Sequence, residues 1–588
     1  MKTVMRGGPT MVNKKNLIVL LTLLSFPGWM NSNPRVVSAN QLIQPSKIQI
    51  NTNVPAYTHT LIQNTANGLV KGYLDRNTMV WKGIPYGTAG RWKAPQPPKN
   101  WKGILDGTKP GPIAIQGAIG KTTGQEECLN LDVFRPNTTE TNLPVLLYIH
   151  GGNNQTGSSA QQSANFQQLA EKANIVVIPI NHRLGALGFN PLPALKEGTA
   201  EENSGNYAVL DFVRSLDWIK DNIKSFGGDP DNITISGFSA GGRDVMALLI
   251  SPIAKGKFQK AISISGGMTV SDMEWAQNIF AEHFAPLVVA DGIKKNEAEA
   301  KKWLLEKNQD VRNYLMDLPA ERVAAAFGGA SIRMYKFPHL YPDGVVLEKK
   351  GFDTKTYNQV PLMMITGTNE FSQFAKTDPY FKPAIADKTI FTNPELAKEY
   401  RFSTKYGSKL YGLFNAEESA VKMFDSYKAA PIYTMAIAYG GNPLLVSKES
   451  AFITGATHGI WRPVITGYPT GGFPDYAFAN KGALAMIAQT QAYIGNFMRT
   501  GNPNGKGLVE WKAWTGKKEG PAQLIVDATA DKAVFYQESQ RVHYDDILKE
   551  MENDKTISEA QKEFLIKNVL NERWFSKKLD KHFKNKIH

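Results

Sequence analysis

With 588 residues, 42% of them hydrophobic and only 20% charged, the chain is rich enough in apolar side chains to bury a large core, which excludes a disordered polymer. Its formal charge of +14 is concentrated at the ends: five Lys/Arg and no acid fall within residues 1–39, and near the C-terminus Lys577, Lys578, Lys581, Lys584 and Lys586 face only Asp580. That terminal cluster reads as a solvated basic tail in preference to a contact with anionic lipid or cell wall, and no nucleic-acid partner is expected. The single cysteine, Cys128, excludes an intramolecular disulfide and any multi-cysteine metal site.

The first element in chain order is a targeting segment. Lys2, Arg6, Lys14 and Lys15 precede an apolar run from Leu17 to Phe26, and Val37-Ser38-Ala39 supplies small residues for cleavage. The run is about half of the ~20 residues needed to span a bilayer, so a signal peptide over 1–39 and export to the periplasm or beyond are expected, with no stable membrane span. Either Met1 or Met11 serves this pattern as a start.

A polar stretch, Asn40 to Thr60, leads into turn-rich chain around Gly83-Ile84-Pro85-Tyr86 and Ala94-Pro95-Gln96-Pro97-Pro98. Val145–Ile149, Ile175–Ile178, Ala261–Ile264 and Leu362–Ile365 are continuous apolar runs without alternation, the pattern of strands covered on both faces. Between them Phe212, Leu216, Ile219 and Ile223 recur at helical spacing, and Ser271 to Asp317 has long helical character, as an insertion over one end of the sheet would. The expected class is α/β with a mostly parallel central sheet flanked by helices. It occupies 40–535, followed by a basic, mostly helical appendage over 536–588. In that appendage Ser558 and Gln561 fit a capping box, and Ile566, Leu570 and Trp574 share a face.

The chemistry is organised around Phe226–Asp244. Ile233, Thr234 and Ile235 form a strand, Gly237-Phe238-Ser239-Ala240-Gly241 closes it, and Val245, Met246, Leu248, Leu249 and Ile250 continue as a helix. A G-x-S-x-G between strand and helix is a nucleophile elbow, in which Gly237 and Gly241 permit a turn too sharp for Cβ atoms. A serine needs a base, a carboxylate to orient that base, and N–H donors for an oxyanion. His458, within Gly455-Ala456-Thr457-His458-Gly459, is the glycine-flanked histidine after the serine. Glu370 follows the strand Leu362–Ile365 at its carboxyl end, where catalytic groups gather. Asp343 is its rival, although Pro342-Asp343-Gly344 reads first as a turn. His150-Gly151-Gly152-Asn153, also directly after a strand, can present backbone N–H groups to a cleft.

These residues together resemble the type-B carboxylesterase/lipase family of the α/β-hydrolase superfamily. Phe226–Gly241 matches its serine pattern position by position. Glu126–Pro136 is similar to its second pattern, with Glu127 and Asn130 as departures, and Asn181–Phe189, Gly205-Asn206-Tyr207 and Thr500–Pro503 are similar to further stretches. The resemblance runs from about Asn67 to Trp514. It implies the α/β-hydrolase fold with helical insertions over the site. It implies Ser239 as nucleophile, Glu370 as the orienting acid and His458 as base, with an oxyanion hole from the N–H groups of Gly152, Asn153 and Ala240. It further implies ester hydrolysis through an acyl-enzyme, no metal and no cofactor, and a small-molecule ester as the partner; oligomeric state is left open. The alternatives are a non-catalytic, cholinesterase-like adhesion or binding module and an interface-dependent lipase.

The sequence also departs from the family pattern, and the departures at Asn153 and Phe238 shape the expected specificity. Asn153 replaces a third glycine and crowds the oxyanion hole. Phe238 replaces a glutamate before the serine, and Gly111–Gln125 carries no tryptophan, so a quaternary ammonium has neither charge partner nor cation–π face and small to medium neutral esters are expected. Ala114-Ile115-Gln116 leaves Cys128 without a partner, and Phe371 replaces a glycine after the acid.

Overall fold

The computed structural model describes residues 54–163, 166–330, 333–468 and 471–585; the expected leader and its start lie outside them. Eleven strands make the main sheet: β1 (Tyr73–Asp75), β2 (Thr78–Pro85), β3 (Asn130–Pro136), β4 (Leu143–Ile149), β5 (Val176–Ile180), β6 (Gly228–Phe238), β7 (Lys260–Ile264), β8 (Leu362–Gly367), β9 (Ile432–Ile437), β10 (Gln523–Ala528) and β11 (Ala533–Glu538). Their spatial order is β11-β10-β9-β8-β7-β6-β4-β5-β3-β2-β1. The middle of the sheet, β10 through β5, is parallel. Antiparallel pairing finishes both edges.

The apolar runs lie where their lack of alternation requires. Every residue of β4 is buried: Val145, Leu147 and Ile149 enter one apolar cluster, while Leu146 and Tyr148 enter another on the opposite face. Strand geometry points successive side chains to opposite faces, so a sheet with two cores needs apolar residues at every position. The strand before the serine is longer than Ile233–Ile235: it starts at Gly228, which pairs with Leu143 of β4, and after an irregularity the pairing resumes at Ile233 opposite Val145.

The helices of the described residues include α1 (Tyr207–Asn222), α2 (Ala240–Leu249), α3 (Met273–Ala290), α4 (Pro394–Gly412), α5 (Lys481–Thr500), α6 (Tyr544–Asn553), α7 (Glu559–Asn568) and α8 (Lys577–His582). Among the described residues no helix is long and apolar enough to cross a membrane. A third apolar cluster joins α4 and Phe371 to Ile547, Leu565, Leu570, Trp574 and Phe575 of the C-terminal helical region. The position expected for the domain boundary, between 535 and 536, falls inside β11. Beyond it Ser558 and Gln561 do form a capping box, and the lysines at 577, 578, 581 and 584 remain exposed.

Candidate active site

β6 ends at Phe238 and α2 begins at Ala240, so Ser239 stands alone at the turn with φ 58° and ψ −114°. A non-glycine residue holds that backbone only where its surroundings over-determine it. Here its N–H donates to the Ile264 carbonyl at 2.8 Å, and its own carbonyl accepts from the Arg243 N–H at 3.0 Å. The flanking glycines are needed for close approach: a Cβ on Gly237 would strike the Gly241 carbonyl, and one on Gly241 the Ile149 carbonyl.

The loop after β4 meets the elbow from the side. A Cβ on Gly151 would lie 2.8 Å from the Phe238 carbonyl oxygen and 3.0 Å from Ser239 Cβ, so only glycine lets the two backbones come together. Gly152 has φ 119° and Asn153 φ 55°. Among the described residues the backbone N–H groups of Gly152, Asn153 and Ala240 take no acceptor in the hydrogen-bond network. The Asn153 side chain, expected to crowd this place, is instead fully engaged. Its Oδ1 accepts from Arg243 Nη2 at 2.7 Å and Trp574 Nε1 at 3.2 Å, and its Nδ2 donates to Gln155 Oε1 at 2.8 Å and the Met334 carbonyl at 3.3 Å.

Glu370 and His458 meet at 2.5 Å between Oε2 and Nδ1. The other carboxylate oxygen accepts from the Gly367 N–H at 2.7 Å and from the Ser265 and Thr366 hydroxyls at 2.5 and 3.1 Å. Burial alone would raise this fully enclosed carboxyl, but the imidazole and these donors outweigh it and hold it below the usual carboxylate range. With the acid ionised, Nδ1 carries the donated proton and Nε2 is left to accept one. The two loops are stitched by the Asn369 N–H to the Ala456 carbonyl at 2.9 Å and by the Ser372 hydroxyl to Thr457 Oγ1 at 2.9 Å. Asp343, the rival acid, accepts from the N–H groups of Val345, Val346 and Leu347 and so shapes its own turn.

Aromatic rings hold the imidazole on several sides: Phe238 at 4.6 Å, Phe374 at 5.1 Å and, stacked at 20°, Tyr411 at 5.5 Å between centroids. Phe238 thus supplies an apolar support beside the imidazole where the resemblance implies a carboxylate. Tyr411, at the end of α4, lies beside the Ser239 hydroxyl, which moderates the rise of its phenol. Burial first, and then the Glu370 charge, push its phenol above the ordinary tyrosine value. Ser239 and His458 themselves share no hydrogen bond; such bonds commonly tighten only when substrate binds. Phe371 does not displace the acid. Its ring sits against Gly407, where a Cβ would collide with it, and faces Phe575 edge-on at 5.8 Å. Cys128 is buried and unpaired, its thiol pushed well up by burial.

Sequence reasoning missed Ser265, Tyr411, Arg243, Trp574 and Phe575. Ser265 follows β7 directly, as Glu370 follows β8, which was a usable signal. The others carry none: an aromatic on a helix or an arginine after an elbow has no direction until the chain is folded.

A parallel sheet with a serine elbow at a strand's carboxyl end, and an acid and histidine from later loops, defines an α/β hydrolase. The model of the Carboxylesterase family matches residues 59–405, and the chain belongs to that family: it is a carboxylic ester hydrolase. It is 38% identical over 246 residues to the para-nitrobenzyl esterase of Bacillus subtilis, a match covering 40% of this chain and 49% of that protein. It is 27% identical to the liver carboxylesterase of Sus scrofa, over 80% of this chain and 90% of that one. A solved PNB esterase structure superposes with a TM-score of 0.61 at 26% identity, covering 82% of this chain and 98% of that one.

Proposed function

We propose that the chain hydrolyses small to medium neutral esters in two steps, with Ser239 as nucleophile, His458 as general base and Glu370 as the carboxylate that orients it. Ser239 attacks the ester carbonyl while His458 Nε2 takes its proton and then passes it to the departing alcohol; water repeats the cycle on the acyl-enzyme. The N–H groups of Gly152, Asn153 and Ala240 receive the oxyanion. The observation that carries this reading is the 2.5 Å contact between His458 Nδ1 and a carboxylate whose second oxygen is held by three donors. That arrangement aligns the ring and fixes its tautomer.

The preference for neutral esters rests on Phe238 beside the imidazole in place of a charge. Butyrylcholine is expected to turn over more slowly than a neutral butyrate ester, and equal rates would refute the preference. Export after cleavage near Ala39 is supported by the basic-then-apolar N-terminus; a processed mature N-terminus near residue 40 would establish it. The experiment for the mechanism is p-nitrophenyl ester hydrolysis by the wild type and Ser239→Ala. Equal rates would overturn it.

A further inference from the structure

We infer that Trp574 and Phe575, more than 330 residues beyond the serine in sequence, are specificity-determining residues that limit the size of ester reaching Ser239. The inference rests on the catalytic reading above. Both rings belong to the short turn Trp574–Ser576 before α8 and are 3% exposed. On their inner side they meet the site. Trp574 donates its indole N–H to Asn153 Oδ1 at 3.2 Å and lies 5.3 Å from the Arg243 guanidinium, which holds the same oxygen. Phe575 stacks on Tyr411 at 4.7 Å and 24°, and Tyr411 in turn stacks on His458 at 5.5 Å and 20°.

On their outer side the same two rings line a cavity of about 290 Å³, together with Met268, Phe414 and Tyr544 and the charged Glu418, Lys422 and Lys578. The pair therefore stands as a partition between that cavity and the nucleophile. It is braced from behind by Arg573, which is fully buried, lies 5.2 Å from the Phe371 ring and pairs with Asp378 at 3.6 Å.

The reacting carbonyl has to sit within about 3 Å of the serine oxygen and of the oxyanion donors. Groups attached beyond it on this side then meet Asn153 and Tyr411, which the indole and the phenyl ring back. Small esters fit in front of the partition, and a branched or aromatic ester needs the volume behind it. A large ring in a close-packed interior does not yield continuously, so the partition discriminates by size.

The test measures kcat/KM of the full chain for p-nitrophenyl acetate and p-nitrophenyl benzoate. The variants are Trp574→Ala and Phe575→Ala, with Trp574→Leu and Phe575→Leu as milder changes should the alanine variants fail to fold by circular dichroism. The benzoate-to-acetate ratio is expected to rise roughly tenfold or more, the scale on which an apolar pocket separates substrates of different bulk. A merely structural role would lower both rates together and leave the ratio unchanged; that result overturns the inference. Ser239→Ala separates the two readings. If it abolishes acetate hydrolysis while the ratio does not move, only the partition falls; if acetate hydrolysis survives it, the catalytic reading falls and takes the partition with it.

Discussion

The elbow at Gly237–Gly241 and the C-terminal turn at Arg573–Ser576 both face the same few atoms, yet they came to the site by different routes. The elbow is local: strand, glycine, serine, glycine and helix follow one another, and steric contacts within the motif and with β4 give the serine its φ of 58°. The C-terminal turn has no such logic of its own. Its indole reaches a partner 421 positions away, and its neighbour packs on a tyrosine of α4. On the proposed reading one region provides the reacting atom, and the other bounds the space in front of it. Changes in the first should therefore abolish turnover of every ester, and changes in the second should alter which esters are accepted.

The severest challenge to this contrast is Ser239→Ala. Loss of the nucleophile is expected to lower kcat by roughly 10⁵–10⁶-fold for small and bulky esters alike. A variant that spared either class would break the division between the two regions. Glu370→Gln should cost about 10³–10⁴-fold, again independent of ester size, because the amide can leave the imidazole in the wrong tautomer while preserving the packing. Steady-state kinetics on two esters of different bulk checks both, and a loss confined to one ester would show that Glu370 acts on binding.

Tyr411 joins the regions, since its ring stacks on His458 on one side and on Phe575 on the other. Tyr411→Phe keeps that ring and removes only the hydroxyl. Labelling of Ser239 by a fluorophosphonate should therefore change by less than about fivefold, the scale of a single hydrogen bond. Labelling slowed beyond that would mean that the phenol assists the nucleophile.

The smallest expected effect is on stability. Burial raises the Asp244 carboxyl on α2 to about 7, against hydrogen bonding from Asn154 and the charge of Arg243. Its folded value lies above the ordinary aspartate value of 3.8, so the native state binds the extra proton and gains stability from it at low pH. That contribution is lost as pH rises from about 4 through about 7. Asp244→Asn should flatten this part of the melting-temperature profile, between about pH 4 and pH 7. An identical slope in the variant would place the titration elsewhere.

The sequence by itself determined the sheet's buried strands, the elbow, and the histidine and acid expected to serve it. Those features are written in periodicity and turn chemistry, which act over a few residues: β4 needs apolar side chains at every position, and Gly237 and Gly241 face carbonyls that leave no room for a Cβ. It also read Asp343 as a turn, and its N–H partners are those of a turn. The tertiary structure alone decided the walls. The Asn153 side chain looked like an obstruction until Arg243 and Trp574 were found to hold it. Phe371 looked like a disturbance until Gly407 and Phe575 were found to make room for its ring. The C-terminal helices, expected as a basic appendage, pack against α4 and Phe371. Contacts between residues hundreds of positions apart depend on which faces are left apolar once the sheet has formed, and no local pattern encodes that choice.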